Sequence, residues 1–259
     1  MKTIILAGGR GSRMKGLTDE KPKCLNVLAG RTLFDWQLDA LFEAGMNDIV
    51  VARGYKKELL NDPSKFKTVD NLRWDQTNMV GTLLCAREYL KNNECIVAYA
   101  DIVYHPDIIK KLKEAKADIV ITYDQKWRAL WEIRFADPLA DAETFQLDEN
   151  NRITDIGRKT NNPAEIQGQY MGLLKFTPKG WSQVEEVFAE LTPEKIDKLD
   201  MTSLLQLILK KNFPITAVQI NGRWAEADSE SDLRSYEQKL NTEGWSHDWR
   251  FDKAGLTRR

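Results

Sequence analysis

The sequence predicts an α/β fold: a doubly wound, mostly parallel mixed sheet with a small antiparallel extension. Three observations predict it. Short apolar strand-like runs alternate with helical periods through the first half of the chain. That alternation implies parallel strands joined by right-handed crossovers. From Trp127 onward the pattern shortens to strand candidates separated by turn residues. A chain of 259 residues can bury a substantial core in one such domain. We therefore expect a domain over 1–243, with an insertion at about 124–176, and a tail at 244–259.

In chain order, the first strand is the β-forming run Thr3-Ile4-Ile5-Leu6, ending at Ala7. A helix over 33–44 brings Leu33, Trp36 and Leu41 to one side, and Gly45 marks its stop. Strand 48–52, helix 80–90, strand 95–100, helix 106–115 and strand 118–123 continue the alternation. Strands at 131–135, 144–147, 153–156 and 168–176 follow, with Asp148-Glu149-Asn150-Asn151 as a clear turn between two of them. Helices at 181–189 and 201–210, a strand at 215–220 and a helix at 231–240 complete the domain. The tail, GWSHDWRFDKAGLTRR, has no clear period and reads as a packed extension or an oligomer contact.

Thirty-eight basic against 39 acidic side chains give a net charge of −1, which provides no basic field for a nucleic-acid partner. Any anion site must be local. Cys24, Cys85 and Cys95 lack paired metal spacing, and their odd number without an apolar leader suggests reduced thiols in a cytoplasm. No run of about 18 apolar residues is present to span a bilayer. A soluble cytoplasmic protein, with homo-oligomers open, is the expectation.

The first strand runs directly into LAGGRGSRMKGLTDEKPKCL. A loop at the carboxyl end of a parallel strand is where open α/β sheets hold ligands. Glycines let its backbone N–H groups close on an anion, while Arg13 and Lys23 add charge for phosphate oxygens. The loop reads as a triphosphate cradle. It is not a P-loop, since no lysine follows a glycine as G-K-[ST] requires, nor a G-x-G-x-x-G turn, because Met14 stands third after Gly11.

The stretch resembles the signature L-A-[AG]-G-x-G-[ST]-R-[LM]-x-x-L-T-x-x-x-P-K-x-L of the nucleotidyltransferases that make sugar nucleotides and CDP-activated compounds. It matches at Leu6, Ala7, Gly8, Gly9, Gly11, Ser12, Arg13, Met14, Leu17, Thr18, Pro22, Lys23 and Leu25. The resemblance covers the chain to about Leu240 and implies the Rossmann-like sheet of the nucleotide-diphospho-sugar transferases. It also implies transfer of a nucleotidyl group from an NTP to a phosphate or phosphonate, with Mg²⁺ as cofactor.

Asp101 ends the apolar run CIVAYAD, and an acid there faces the ligand crevice. Asp228 follows a short strand and precedes a helix, so it fits an N-cap as well as a ligand. The resemblance implies that both hold the metal; Glu226, two residues before Asp228 on the same strand face, is an alternative ligand. It implies further that Leu6 to Arg13, including Arg10, and Lys23 bind the triphosphate, and that Arg13, Lys23, Asp101, Lys159 and Asp228 form the catalytic set. Lys159 resembles the family's acceptor-phosphate lysine of I-x-x-I-x-E-K-P, although Arg158 and Thr160 replace the Glu and Pro. The Arg158-Lys159 pair also fits an exposed turn. Gln76 or Asn78 could read a pyrimidine edge, while capping of the next helix by Thr77 or Asn78 competes with that role. Trp127, Trp131, Tyr170 and Trp224 could hold a quaternary ammonium by cation–π attraction, or simply pack the core.

The short length and the stretches WRALWEIRFADPLADAETF and GQYMGLLKFTP are most similar to cytidylyltransferases of the phosphocholine and phosphoglutamine type. They imply CTP and a small phosphorylated acceptor as partners. Two other readings stand beside this one: a hexose-1-phosphate uridylyl- or thymidylyltransferase, with sugar contacts from Glu165 and Gln167, and a nucleotide-binding sensor without turnover.

Overall fold

A computed structural model of the chain describes residues 1–252. The first half runs β1 (Lys2–Ala7), β2 (Val27–Leu28), β3 (Arg31–Thr32), α1 (Leu33–Glu43), β4 (Ile49–Arg53), β5 (Lys67–Asp70), α2 (Met79–Leu84), α3 (Arg87–Asn92), β6 (Cys95–Tyr99), β7 (Ile102–Tyr104), α4 (Pro106–Glu114) and β8 (Ile119–Asp124). The second half runs α5 (Trp127–Arg134), β9 (Glu143–Leu147), β10 (Ile153–Lys159), β11 (Gln169–Phe176), α6 (Pro178–Phe188), α7 (Pro193–Asp197), α8 (Met201–Lys210), β12 (Thr216–Ile220), β13 (Trp224–Glu226) and α9 (Glu230–Lys239).

A seven-stranded sheet with order β12-β8-β11-β6-β1-β4-β5 forms the centre. Every neighbouring pair is parallel except those made by β11, which runs antiparallel between β6 and β8. Both faces are covered, so β1 is apolar at consecutive positions rather than alternately. Ile5 and Ala7 point into the core on one face, with Leu33, Leu41 and Ile109, and Ile4 and Leu6 into the core on the other, with Leu83, Trp181 and Leu205.

Two small sheets position the chemistry. The ribbon β7–β13 is antiparallel, with Glu226 opposite Ile102. The hairpin β9–β10 stands over the carboxyl side of the sheet, and Lys159 lies opposite Glu143.

Several elements differ from expectation for identifiable reasons. Of residues 131–135, expected as a strand, 131–134 belong to the helix α5 and Phe135 is its extended C-cap. Trp127, Leu130, Trp131 and Arg134 recur at i, i+3, i+4 and i+7, so their buried face is helical. The expected helix 80–90 is two, α2 and α3, broken where Ala86 takes φ −99°, ψ 12°. The strand expected at 168–176 in the extension is antiparallel but lies within the central sheet, where YMGLLKF can be buried on both faces. The edge strand β5 gave no apolar signal because its side chains are only partly covered. In the tail, Trp249 and His247 are fully buried; residues 253–259 of the segment expected there lie outside the described residues. No helix among the described residues is long and apolar enough to cross a membrane.

Candidate active site

β1 and β6 are neighbours, with Leu6 opposite Tyr99, so the glycine loop and Asp101 emerge side by side at their carboxyl ends. Gly11 adopts φ +76°, and a Cβ there would stand 2.6 Å from the Lys23 Cβ. Only glycine allows both that turn and that approach. A Cβ on Gly8 would meet Thr82 Oγ1 at 2.5 Å, and the Gly8 carbonyl accepts the Tyr55 N–H at 2.9 Å. The loop is thereby fixed between the second core layer and β4. It bounds a cavity that also receives Trp74, Thr77, Asn78, Lys23, Asp101 and Asp228.

Asp101 meets two acids more than a hundred positions away because β13 pairs with β7 immediately after it. The Ala227 N–H donates to the Asp101 carbonyl at 3.0 Å. One oxygen from each of Asp101, Glu226 and Asp228 lies within 4.8 Å of the others. Such crowding of anions needs nearby cations. Lys23 Nζ stands 2.6 Å from Asp101 Oδ2 and 2.5 Å from Asp228 Oδ1, and Arg13 reaches the same Asp228 oxygen at 2.8 Å. Arg134 closes the far side, one nitrogen 2.8 Å from Glu226 Oε2 and another 2.8 Å from Asp228 Oδ2.

The electrostatics follow from that arrangement. Burial works against the Lys23 charge, but Asp101 and Asp228 outweigh it and hold the ammonium above the ordinary lysine value. Burial, then Asp228, pushes Glu226 up to about 7, with Arg134 opposing. For Asp228 burial is again the largest influence, yet Lys23 and Arg134 leave its carboxyl below the usual range. Burial pushes the Cys24 thiol up to about 12, so beside Lys23 it serves as a small packed side chain.

The donor set fits a small divalent cation such as Mg²⁺. All three groups are hard carboxylate oxygens, and the buried Asp101 Oδ1 accepts no hydrogen bond. Ser229, with Asp232, forms the capping box of α9. The N-cap role open to Asp228 is therefore filled by its neighbour, leaving its carboxylate for the cluster.

A second cavity adjoins the first and shares Arg13, Tyr99, Asp101 and Asp228 with it. Its walls are the β9–β10 hairpin with Glu143 and Lys159, Trp131 of α5, Tyr170 of β11 and the start of α8. Lys159 Nζ donates to the Asp141 carbonyl at 2.7 Å, and Trp131 Nε1 donates to the Asp141 carboxylate at 3.1 Å.

Leu6, Ala7, Gly8, Gly9, Gly11, Ser12 and Lys23 thus line one cavity, Lys159, Trp131 and Tyr170 the other, and Arg13, Asp101 and Asp228 both. Four expected contacts need correction. Arg10 turns outward to Asp19 at 2.7 Å, over the Tyr55 ring. Gln76 is exposed outside the cavity. Trp127 is buried edge-on against Trp131. Trp224 is 1% exposed, with Nε1 donating to Asp124 Oδ2 at 3.0 Å, so core packing and a hydrogen bond account for it. Asn78 does line the first cavity, but its carbonyl oxygen caps α2 and its amide donates to the Lys198 carbonyl.

Sequence reasoning passed over Arg134, Tyr99 and Glu143. Arg134 was legible in the helical spacing of α5 once its aromatic residues were read with that period. His247, given no role from the sequence, meets Asp124 Oδ2 at 2.8 Å in the core behind the site.

The family model of the MobA-like NTP transferase domain matches residues 3–164. The chain is 37% identical over 248 residues to the CTP:phosphoglutamine cytidylyltransferase of Campylobacter jejuni, covering 90% of this chain and 98% of that protein. It is 35% identical over 101 residues to the choline-phosphate cytidylyltransferase of Streptococcus pneumoniae, covering 38% and 44% of the two chains. The solved inositol-1-phosphate CTP transferase of T. maritima superposes with a TM-score of 0.71 at 19% identity, over 93% of this chain and 96% of that one.

Proposed function

The chain belongs to the MobA-like NTP transferases and is a nucleotidyltransferase, and we propose that it transfers CMP from CTP to the phosphate or phosphonate of a small acceptor of the phosphoglutamine or phosphocholine kind, releasing pyrophosphate. The observation that carries the reading is the meeting of two cavities at Asp101 and Asp228, one walled by the glycine loop with Arg13 and Lys23, the other by Lys159. CTP as donor is supported by the 37% identity along nearly the whole chain to a CTP-using relative.

An acceptor oxygen attacks the α-phosphorus, the bond from that phosphorus to the bridging oxygen breaks, and pyrophosphate leaves with the electron pair. Two polyanions must be brought into line, so catalysis is chiefly positioning and charge neutralisation. The loop backbone from Gly8 to Ser12 cradles the triphosphate. Arg13 and Lys23, paired to the carboxylates, are within reach to turn onto phosphate oxygens. Lys159 holds the acceptor phosphate facing the α-phosphorus, and the aromatic wall of Trp131 and Tyr170 shields that side from water. Asp101 and Asp228, with Glu226, would hold Mg²⁺, which when bound neutralises phosphate charge.

A hexose-1-phosphate acceptor has less support, because Glu165 and Gln167 do not line the acceptor cavity and Gln167 Oε1 instead accepts the Leu147 N–H at 2.7 Å. The deciding experiment is pyrophosphate release with Mg²⁺, crossing the four common NTPs with phosphoglutamine, phosphocholine, phosphoethanolamine, glycerol phosphate, aminoethylphosphonate and glucose-1-phosphate. Release with CTP and a non-sugar acceptor is expected. Release only with UTP or dTTP and glucose-1-phosphate overturns the reading, and silence with every pair points to an acceptor outside the panel or to a nucleotide-binding sensor.

A further inference from the structure

We propose that Arg134 is a positioning residue that sets the carboxylates of Glu226 and Asp228 for a divalent cation, an inference that rests on the metal-holding role given above to the three acids. Its side chain is 1% exposed. The guanidinium takes one oxygen from each acid, Glu226 Oε2 and Asp228 Oδ2, both at 2.8 Å. A planar fork that binds two carboxylates at once fixes the orientation of both, which a point charge cannot do. Asp228 Oδ1 is left facing Lys23 and Arg13, the side on which Asp101 lies.

Arg134 is also the cation of this cluster that no ligand can draw away. Arg13, 69% exposed at its side chain, and Lys23 both line the nucleotide cavity, whereas Arg134 lines neither cavity. When phosphates take the other two, Arg134 remains to restrain the repulsion between Glu226 and Asp228. Its own place is fixed by the rings of Trp131 and Phe135, whose centroids lie 5.3 and 5.1 Å from the guanidinium carbon. Asp232 Oδ1 stands 3.6 Å from Nε. Trp131 is itself a wall of the acceptor cavity, so the helix that shapes the acceptor side also aims the metal-binding acids.

The test uses full-length Arg134→Lys and Arg134→Met proteins, with folding checked by circular dichroism and melting. Binding of Mn²⁺ is measured by electron paramagnetic resonance, with and without CTP, alongside the metal concentration giving half-maximal pyrophosphate release. Both variants should bind Mn²⁺ about 10–100-fold more weakly, as is usual when groups that orient metal ligands are removed. The lysine variant should remain weak although it keeps the charge, and added guanidinium should partly restore the methionine variant. Folded variants that bind Mn²⁺ within about twofold of the parent overturn the proposal. So does loss of the folded state in both, which would make Arg134 a residue of the fold alone. A parent that binds no Mn²⁺ overturns both this assignment and the metal reading. Weakened Mn²⁺ binding in variants of a parent that does not use CTP would uphold Arg134 and refute the donor assignment alone.

Discussion

Asp101 carries two unlike duties: one oxygen pairs with Lys23 at 2.6 Å and the other accepts no hydrogen bond. Asp101→Asn keeps the shape and removes the charge. We expect pyrophosphate release to fall by at least about a hundredfold, the scale of losing a group that stabilises transition-state charge, while circular dichroism stays unchanged. Full activity would remove Asp101 from the site. The cysteines give an independent check on burial. Cys24 and Cys95 are buried with thiols pushed up to about 12 by desolvation, whereas Cys85 is exposed. Iodoacetamide on the native protein should therefore label Cys85, and peptide mapping that finds Cys24 labelled at a comparable rate would contradict the packing around the loop.

At the scale of the element, the loop after β1 depends on a left-handed turn and on contact with Lys23. Gly11→Ala forces a side chain into φ +76° and against the Lys23 Cβ, at about 1–2 kcal/mol for the conformation alone. Lys23 must shift to make room. CTP binding, measured by calorimetry, should weaken by about tenfold or more, and unchanged affinity would mean the loop does not hold the triphosphate. Helix α5 illustrates a different dependence. Trp127, Leu130, Trp131 and Arg134 stand at i, i+3, i+4 and i+7, whereas 131–135 alone fits a short strand, and the buried partners of Trp131 and Arg134 select the helical period.

Across the whole molecule, the end of β8 is tied to the segment after α9 by Asp124. Its carboxylate is fully buried and accepts from the Lys126 and Gly222 N–H groups, Trp224 Nε1 and His247. Burial opposes its charge, but His247 and the other donors leave its carboxyl below the usual range. Asp124→Ala strands four donors and should cost about 3–5 kcal/mol in urea denaturation, whereas a loss below about 1 kcal/mol would show that the tail is not docked through it. The depressed carboxyl sets the sign of the pH dependence. The contribution of Asp124 is complete above the unfolded aspartate value of about 4 and fades as pH falls through its lower folded value. Parent and variant should therefore converge in stability on acidification, and a gap that widens toward low pH would contradict the assignment. The sequence by itself determined the alternation of strands and helices, the glycine-rich loop after β1 and the acids that follow β6 and β13, because glycine spacing, strand-end acids and hydrophobic periods are local properties of the chain. Tertiary structure alone decided that Glu226 and Asp228 reach Asp101 through the β7–β13 ribbon, that Arg134 clamps them, and that Trp224 and His247 serve the core. Those outcomes depend on which distant strands pair and which side chains share a buried space, and no local pattern encodes that proximity.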